Sequence, residues 1–173
     1  SLHDALPIYE RSDAGGAFGD IGRSVSRVQV MDASGHVYYR DRDDLVFSYR
    51  KSNIVARYII EVEFALSPGD PEELMKEVKR IFTVKSGSQP LGLRSAGCAF
   101  KTPPPDVWAS AGQLIDRAGL KEFRIGGAQV SPVHANFIVV DKTATAADVL
   151  AVMEHVQGTV KSRNGVTLER EVV

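Results

Sequence analysis

The feature that most limits what this chain can become is a change of apolar period between Tyr58 and Phe82. Tyr58, Ile60, Val62, Phe64 and Leu66 alternate with polar neighbours, and Glu61 and Glu63 fall on the opposite face, which is the period-two pattern of a half-buried strand. Four residues later Asp70-Pro71-Glu72-Glu73 supplies an N-cap, a first-turn proline and a capping-box glutamate. The spacing of Leu74, Val78, Ile81 and Phe82 then predicts a helix that buries that stripe. A strand passing straight into a helix, in a chain of 173 residues with 43% hydrophobic and 25% charged composition, predicts an α+β globular protein of one domain or two small ones.

The rest of the chain extends that reading. Ser26 to Arg40 reads as a hairpin, with Val28, Val30 and Val37-Tyr38-Tyr39 flanking the turn Asp32-Ala-Ser-Gly35. Lys85-Ser-Gly-Ser-Gln-Pro90 interrupts both periods and predicts a linker with a domain boundary beside it. A helix is predicted from about Val107 to Ala118, with Ala111, Leu114, Ile115 and Ala118 on one face and Gly119 as its stop. Asn136–Val140 reads as a strand. Thr145-Ala-Ala-Asp148 reads as a capping box opening a helix that buries Val149, Val152, Met153, Val156 and Val160. Asn164-Gly165 turns the chain into a last strand, Val166–Val173. At the other end, Ser1-Leu-His-Asp-Ala-Leu-Pro-Ile8 reads like a translated sequencing adapter. Residues 1–12 are therefore expected to be non-native, and the chain to be a fragment.

Charge and cysteine usage exclude several classes. A net charge of -1 gives no overall basic field, so no nucleic-acid partner is expected. No apolar run reaches the roughly 20 residues of a membrane span, so a cytoplasmic protein without a membrane partner is expected. One cysteine excludes a disulfide framework, and His3, His36, His134 and His155 are dispersed, so no metal is expected. That leaves Cys98, between Gly97 and Ala99, as either a small core residue or a reactive thiol. Arg50 reads as a sheet-edge arginine with a solvated head, Glu171 as a solvated strand carboxylate beside Thr167 and Glu169, and His134 as a ligand group or a hydrogen-bonded residue at a strand start. The glycines of Ala14-Gly-Gly-Ala-Phe-Gly-Asp-Ile-Gly22 read as a turn or a phosphate cradle.

Taken in order, Arg94-Ser-Ala-Gly-Cys98-Ala-Phe-Lys-Thr-Pro103, Ala118-Gly-Leu120, Gly126-Gly-Ala-Gln129, His134-Ala-Asn-Phe137, Asp148-Val149 and Leu168-Glu-Arg-Glu-Val172 resemble one family. That family is the UDP-N-acetylenolpyruvoylglucosamine reductases, flavoenzymes of peptidoglycan precursor synthesis. The resemblance implies FAD and NADPH as cofactors and UDP-N-acetylglucosamine enolpyruvate as the substrate reduced to UDP-N-acetylmuramate. It implies Cys98 as proton donor to the substrate, where the family carries serine or cysteine, and Arg50 and Glu171 as the residues that stabilise the enolate-like intermediate. Tyr49, Lys101, Thr102 and His134 are implied as substrate-binding residues, with Thr102 standing where the family motif has asparagine. Gly15, Gly16 and Gly19 are implied at the flavin. By the same resemblance residues 13–84 are part of a FAD-binding domain, 85–160 a substrate-binding domain, and 161–173 a strand returning to the first. No extra tyrosine-bearing loop lies between Tyr49 and Arg94, which implies the subgroup lacking it. The fragment alone is expected to be inactive. The alternatives are a non-catalytic nucleotide-sugar-binding fragment or another flavin oxidoreductase of related fold.

Overall fold

The computed structural model describes residues 15–16 and 19–172, so the expected non-native segment at residues 1–12 lies outside the described residues. The chain divides into two compact units, Ser1–Met75 and Lys76–Val173. Helix and strand are mixed in both, and every pairing between its strands is antiparallel, as an α+β chain requires.

In the first unit, β1 (Gly15–Gly16) and β2 (Gly19–Asp20) form a two-stranded ladder. β3 (Val25–Met31) and β4 (Val37–Asp41) form the expected hairpin. Asp32 closes its turn, with one carboxylate oxygen accepting from the Ser34 and His36 amides at 2.8 and 3.1 Å. β5 (Phe47–Ser48) and β6 (Lys51–Ser52) form a second, minimal hairpin, and β7 (Tyr58–Phe64) returns to the other edge of β3.

The alternation read in β7 does not survive pairing. Gln29 pairs with Glu61 and Val30 with Ile59, which leaves Ile60 as an extra residue on β7. A bulge of this kind switches the inward set by one position. Ile59 packs against the core together with Val62 and Phe64, while Tyr58 and Ile60 are about half exposed and Leu66 lies beyond the strand end. The core they join is Val25, Val28, Val30, Leu45, Ile54 and Ala56.

Helix α1 (Pro71–Ser88) contains the division between the units. Its start is as expected, with the Asp70 carboxylate accepting from the Glu72 and Glu73 amides at 3.0 and 2.9 Å. Two expectations fail here. The stripe of Leu74, Val78 and Phe82 is 56–63% exposed and none of the helix is buried, because an amphipathic period shows what a helix can bury and not that a partner is present. The segment Lys85–Ser88 is helical and not a linker, with Ser86 and Ser88 donating back to the Thr83 and Val84 carbonyls at 3.1 and 2.9 Å.

In the second unit, α2 (Ala111–Arg117) starts later than expected, because Ser110 caps it reciprocally with Gln113. Ala111, Leu114, Ile115 and Ala118 are buried as read. β8 (Arg124–Ile125), β9 (Ala128–Val130) and β10 (Ile138–Val140) form an antiparallel meander, and α3 (Ala146–Asn164) packs on all three strands. Thr145 and Asp148 make the predicted capping box. Val152, Met153, Val156 and Val160 are buried and Val149 partly so. Gly126 and Gly127 form the β8–β9 turn, and a Cβ on Gly127 would stand 2.3 Å from the Ala144 amide nitrogen, so glycine is required by space there.

The C-terminal reading is also corrected. Residues 161–164 continue α3, and Gly165, at φ 71°, ends it. Among the described residues beyond it there is no extended strand but a short pairing: Lys101 N donates to Glu169 O and Glu171 N to Ala99 O, each at 2.9 Å, around a Phe100–Arg170 bridge. Those bonds lie within the second unit.

Candidate active site

The segment Gly97–Lys101 is held on both edges. On one edge Cys98 bridges Phe137 and Ala99 N donates to Asn136 O at 2.7 Å; on the other lie Glu169–Glu171. Phe100 anchors it at 1% exposure in the core cluster to which Leu168 and Leu114 also belong. Gly97, at φ 86°, gives the chain the left-handed step into this segment. Cys98, half-buried, and Glu171 thus sit on neighbouring paired segments offset by one residue, Glu171 opposite Ala99.

Asn136 is the residue that sequence reasoning passed over. Buried at 6%, its side chain accepts from Phe100 N at 3.0 Å and donates to Phe100 O at 2.8 Å. A primary amide used this way imitates a strand backbone where β10 has not yet begun. The signal was present as an asparagine inside the apolar run Ala135–Val140.

Lys101 forms an ion pair with Glu169, the residue facing it across the pairing. An anion at Lys101 therefore competes with a carboxylate already there. Thr102 is exposed, in the loop that follows. His134 lies elsewhere in the same unit, in a polar notch of about 180 Å³ lined by Ser110, Gly112, Gln113, Asp116 and Lys121. Its Nδ1 accepts from the Asn136 amide at 3.2 Å, which leaves Nε2 as the protonated nitrogen of the neutral ring. Burial pushes its pKa below the ordinary 6.5, and the Lys121 ammonium pushes the same way.

Tyr49 and Arg50 belong to the first unit and form the two-residue tip of the β5–β6 hairpin. Arg50 is not a sheet-edge residue: its φ is 57°, a left-handed conformation that costs a side-chain-bearing residue roughly 1–2 kcal/mol. Its guanidinium carbon lies 5.1 Å from the centre of the Tyr49 ring. Asn53 pins the hairpin's base, accepting from Val46 N at 3.0 Å and donating to Asp44 O at 2.8 Å. It is the second positioning residue that sequence reasoning missed. Backbone strain held at a tip by such a clamp is a pattern associated with functional positions.

At the glycine stretch, Gly15 pairs with Asp20 and Gly16 with Gly19, whose φ is 127° with open space where a Cβ would stand. A backbone free of side-chain bulk on that side fits the close approach of a cofactor. Among the described residues no cluster of three or more metal-ligating side chains exists and no helix is long and apolar enough to cross a membrane.

Fold and motifs together define the class. Residues 89–173 match the family model described as UDP-N-acetylenolpyruvoylglucosamine reductase, C-terminal domain, and the chain belongs to that family. The UDP-N-acetylenolpyruvoylglucosamine reductase of Desulfosudis oleivorans is 42% identical over 168 residues, covering 92% of this chain and 53% of that protein. A protein named UDP-N-acetylenolpyruvoylglucosamine reductase 2 from Symbiobacterium thermophilum is 40% identical over 162 residues, covering 92% and 52%. The crystal structure of the reductase from Thermus caldophilus superposes with a TM-score of 0.80 at 34% identity, covering 96% of this chain and 59% of that one. The chain spans about half the length of the curated relatives it matches.

Proposed function

We propose that this chain carries the proton-delivering and substrate-holding part of a UDP-N-acetylenolpyruvoylglucosamine reductase, acting in peptidoglycan precursor synthesis. When bound and reduced by NADPH, FAD would supply hydride to C3 of the enolpyruvyl ether, and Gly15, Gly16 and Gly19 would border it. The Cys98 thiol then delivers a proton to C2, acting as a general acid. Arg50 presents a two-pronged donor to the substrate carboxylate, where negative charge accumulates before protonation. Glu171 acts with Arg50 in stabilising the enolate-like intermediate. Tyr49, Lys101, Thr102 and His134 bind the substrate; Lys101 exchanges its Glu169 partner for an anionic group.

The observation that carries this reading is the match of residues 89–173, which hold both Cys98 and Glu171, to the family model; the pairing of Ala99–Lys101 with Glu169–Glu171 adds that the two segments lie side by side. The test follows the two half-reactions in a full-length reductase that carries this sequence, supplied with FAD, NADPH and UDP-N-acetylglucosamine enolpyruvate. Cys98→Ala is expected to leave flavin reduction intact and to slow reoxidation by the substrate at least about a hundredfold, the range for a lost general acid. Equal loss of both half-reactions, or nucleotide-sugar binding with no turnover in the unaltered full-length reductase, would overturn it.

A further inference from the structure

We infer that Asn136 is a positioning residue for the Cys98 thiol, acting as a one-residue substitute for a strand. The inference rests on the proposed role of Cys98, but its physical basis is independent of that role. From the turn at Ser131 to the start of β10 at Ile138 the backbone pairs with the neighbouring segment only through the Cys98–Phe137 bridge and the Asn136 carbonyl, and none of it reaches Phe100. Asn136 fills that gap with three bonds: its carbonyl to Ala99 N at 2.7 Å, its side-chain oxygen to Phe100 N at 3.0 Å and its side-chain nitrogen to Phe100 O at 2.8 Å. With Phe100 fixed on this edge and bridged to Arg170 on the other, the residue two places earlier is fixed in register as well. Cys98 follows immediately on Gly97, whose φ of 86° gives that step little restraint of its own. The amide's donor and acceptor are both used, and at 6% exposure neither has water as a substitute. Leucine or alanine there would leave the Phe100 amide and carbonyl without these partners.

The single cysteine makes the test direct, because any thiol reagent reports on Cys98 alone. In Asn136→Asp, an ionised carboxylate still accepts from Phe100 N but repels Phe100 O; once protonated it donates there and restores both bonds, and burial raises the pH at which this happens. The rate of disulfide exchange with dithiodipyridine is measured in variant and unaltered chain at pH 8 and pH 5, and expressed as a ratio so that titration of the thiol and of His134 cancels. The expected ratio is about tenfold at pH 8, converging within twofold at pH 5. A ratio within twofold at both values, or an equal departure at both, would overturn the inference, the second pattern being that of a merely structural defect. Should the aspartate form not fold, Asn136→Ala serves at pH 8: a folded variant with an unchanged exchange rate overturns the inference, and a tenfold change supports it. In turnover, Asn136→Ala is expected to lower kcat about tenfold with KM within threefold, and the reverse split would count against it. Absence of turnover in the unaltered full-length reductase would instead remove the proposed function and leave the thiol measurement to decide Asn136.

Discussion

The two units hold their candidate residues by opposite means. In the second, Cys98 lies on a segment bonded along both edges and anchored by Phe100 in a large core, and the Glu171 segment is one of those edges, so their geometry follows from packing. In the first, Arg50 stands at the tip of a two-residue hairpin in a left-handed conformation, held by Asn53 from below while the core of Val25, Val28, Val30, Leu45, Ile54 and Ala56 lies apart from the tip. A proton donor has to be aimed, whereas a carboxylate-binding guanidinium has to reach. Core packing suits the first need and a strained tip the second.

The comparison breaks most visibly if the core does not hold the Cys98 segment. Phe100→Ala is expected to destabilise the second unit by roughly 3–5 kcal/mol, the range for a buried phenylalanine. Denaturant unfolding followed through Trp108, the single tryptophan and a residue of this unit, measures it. A loss under about 1 kcal/mol would mean that the edge bonds suffice without the core. Gly127→Ala tests the same unit by overpacking. The new methyl meets the backbone of Ala144, which cannot swing aside as a flexible side chain can, and a loss of roughly 1–3 kcal/mol is expected by the same measurement.

The opposite sign is expected at the strained tip. Arg50→Gly relieves a left-handed residue but adds freedom to the unfolded chain, so the net gain is a few tenths to about 1 kcal/mol. Hydrogen exchange of the peptide spanning residues 44–54 should show slower opening, together with loss of binding to the enolpyruvyl carboxylate. Faster exchange would show that the arginine stabilises its own hairpin, and the contrast between the units would weaken.

What the sequence disclosed follows the same division. Local chemistry was legible: the Asp32 turn, the Thr145–Asp148 box, and the apolar faces of α2 and α3 all formed as read, because each is decided within a few residues. Pairing was not. Ile60 became a bulge only through its partners on β3, and the last residues became a short bridge to Phe100 and not a strand, since neither outcome is written in an alternation of residue types. At the site, the motif around Cys98 was visible as a string, while the use of Asn136 as a strand substitute depended on a contact 36 residues away. Exposure misled most on α1, where the apolar stripe was present and its burial was not.

The smallest expected effect concerns His134, which joins the polar notch to Asn136. Its pKa lies below 6.5 because burial disfavours the charged ring, with the Lys121 ammonium acting in the same direction and paired at 2.8 Å with Asp116. The fold therefore prefers the neutral ring, whose Nδ1 can accept from Asn136 N. A group with a depressed folded value contributes stability that is complete above the unfolded value and is lost as pH falls through the folded one. The melting temperature should accordingly decline from about pH 6.5 downward, and decline less in His134→Gln. Asp32, Asp141, Asp148 and Glu77 are also shifted down, but from ordinary values of 3.8 and 4.5, so their contributions are lost only at lower pH. Parallel melting curves for the two chains between pH 7.5 and 5 would show that the ring's charge is not coupled to the fold, and the bond to Asn136 would then be incidental to the geometry of the Cys98 segment.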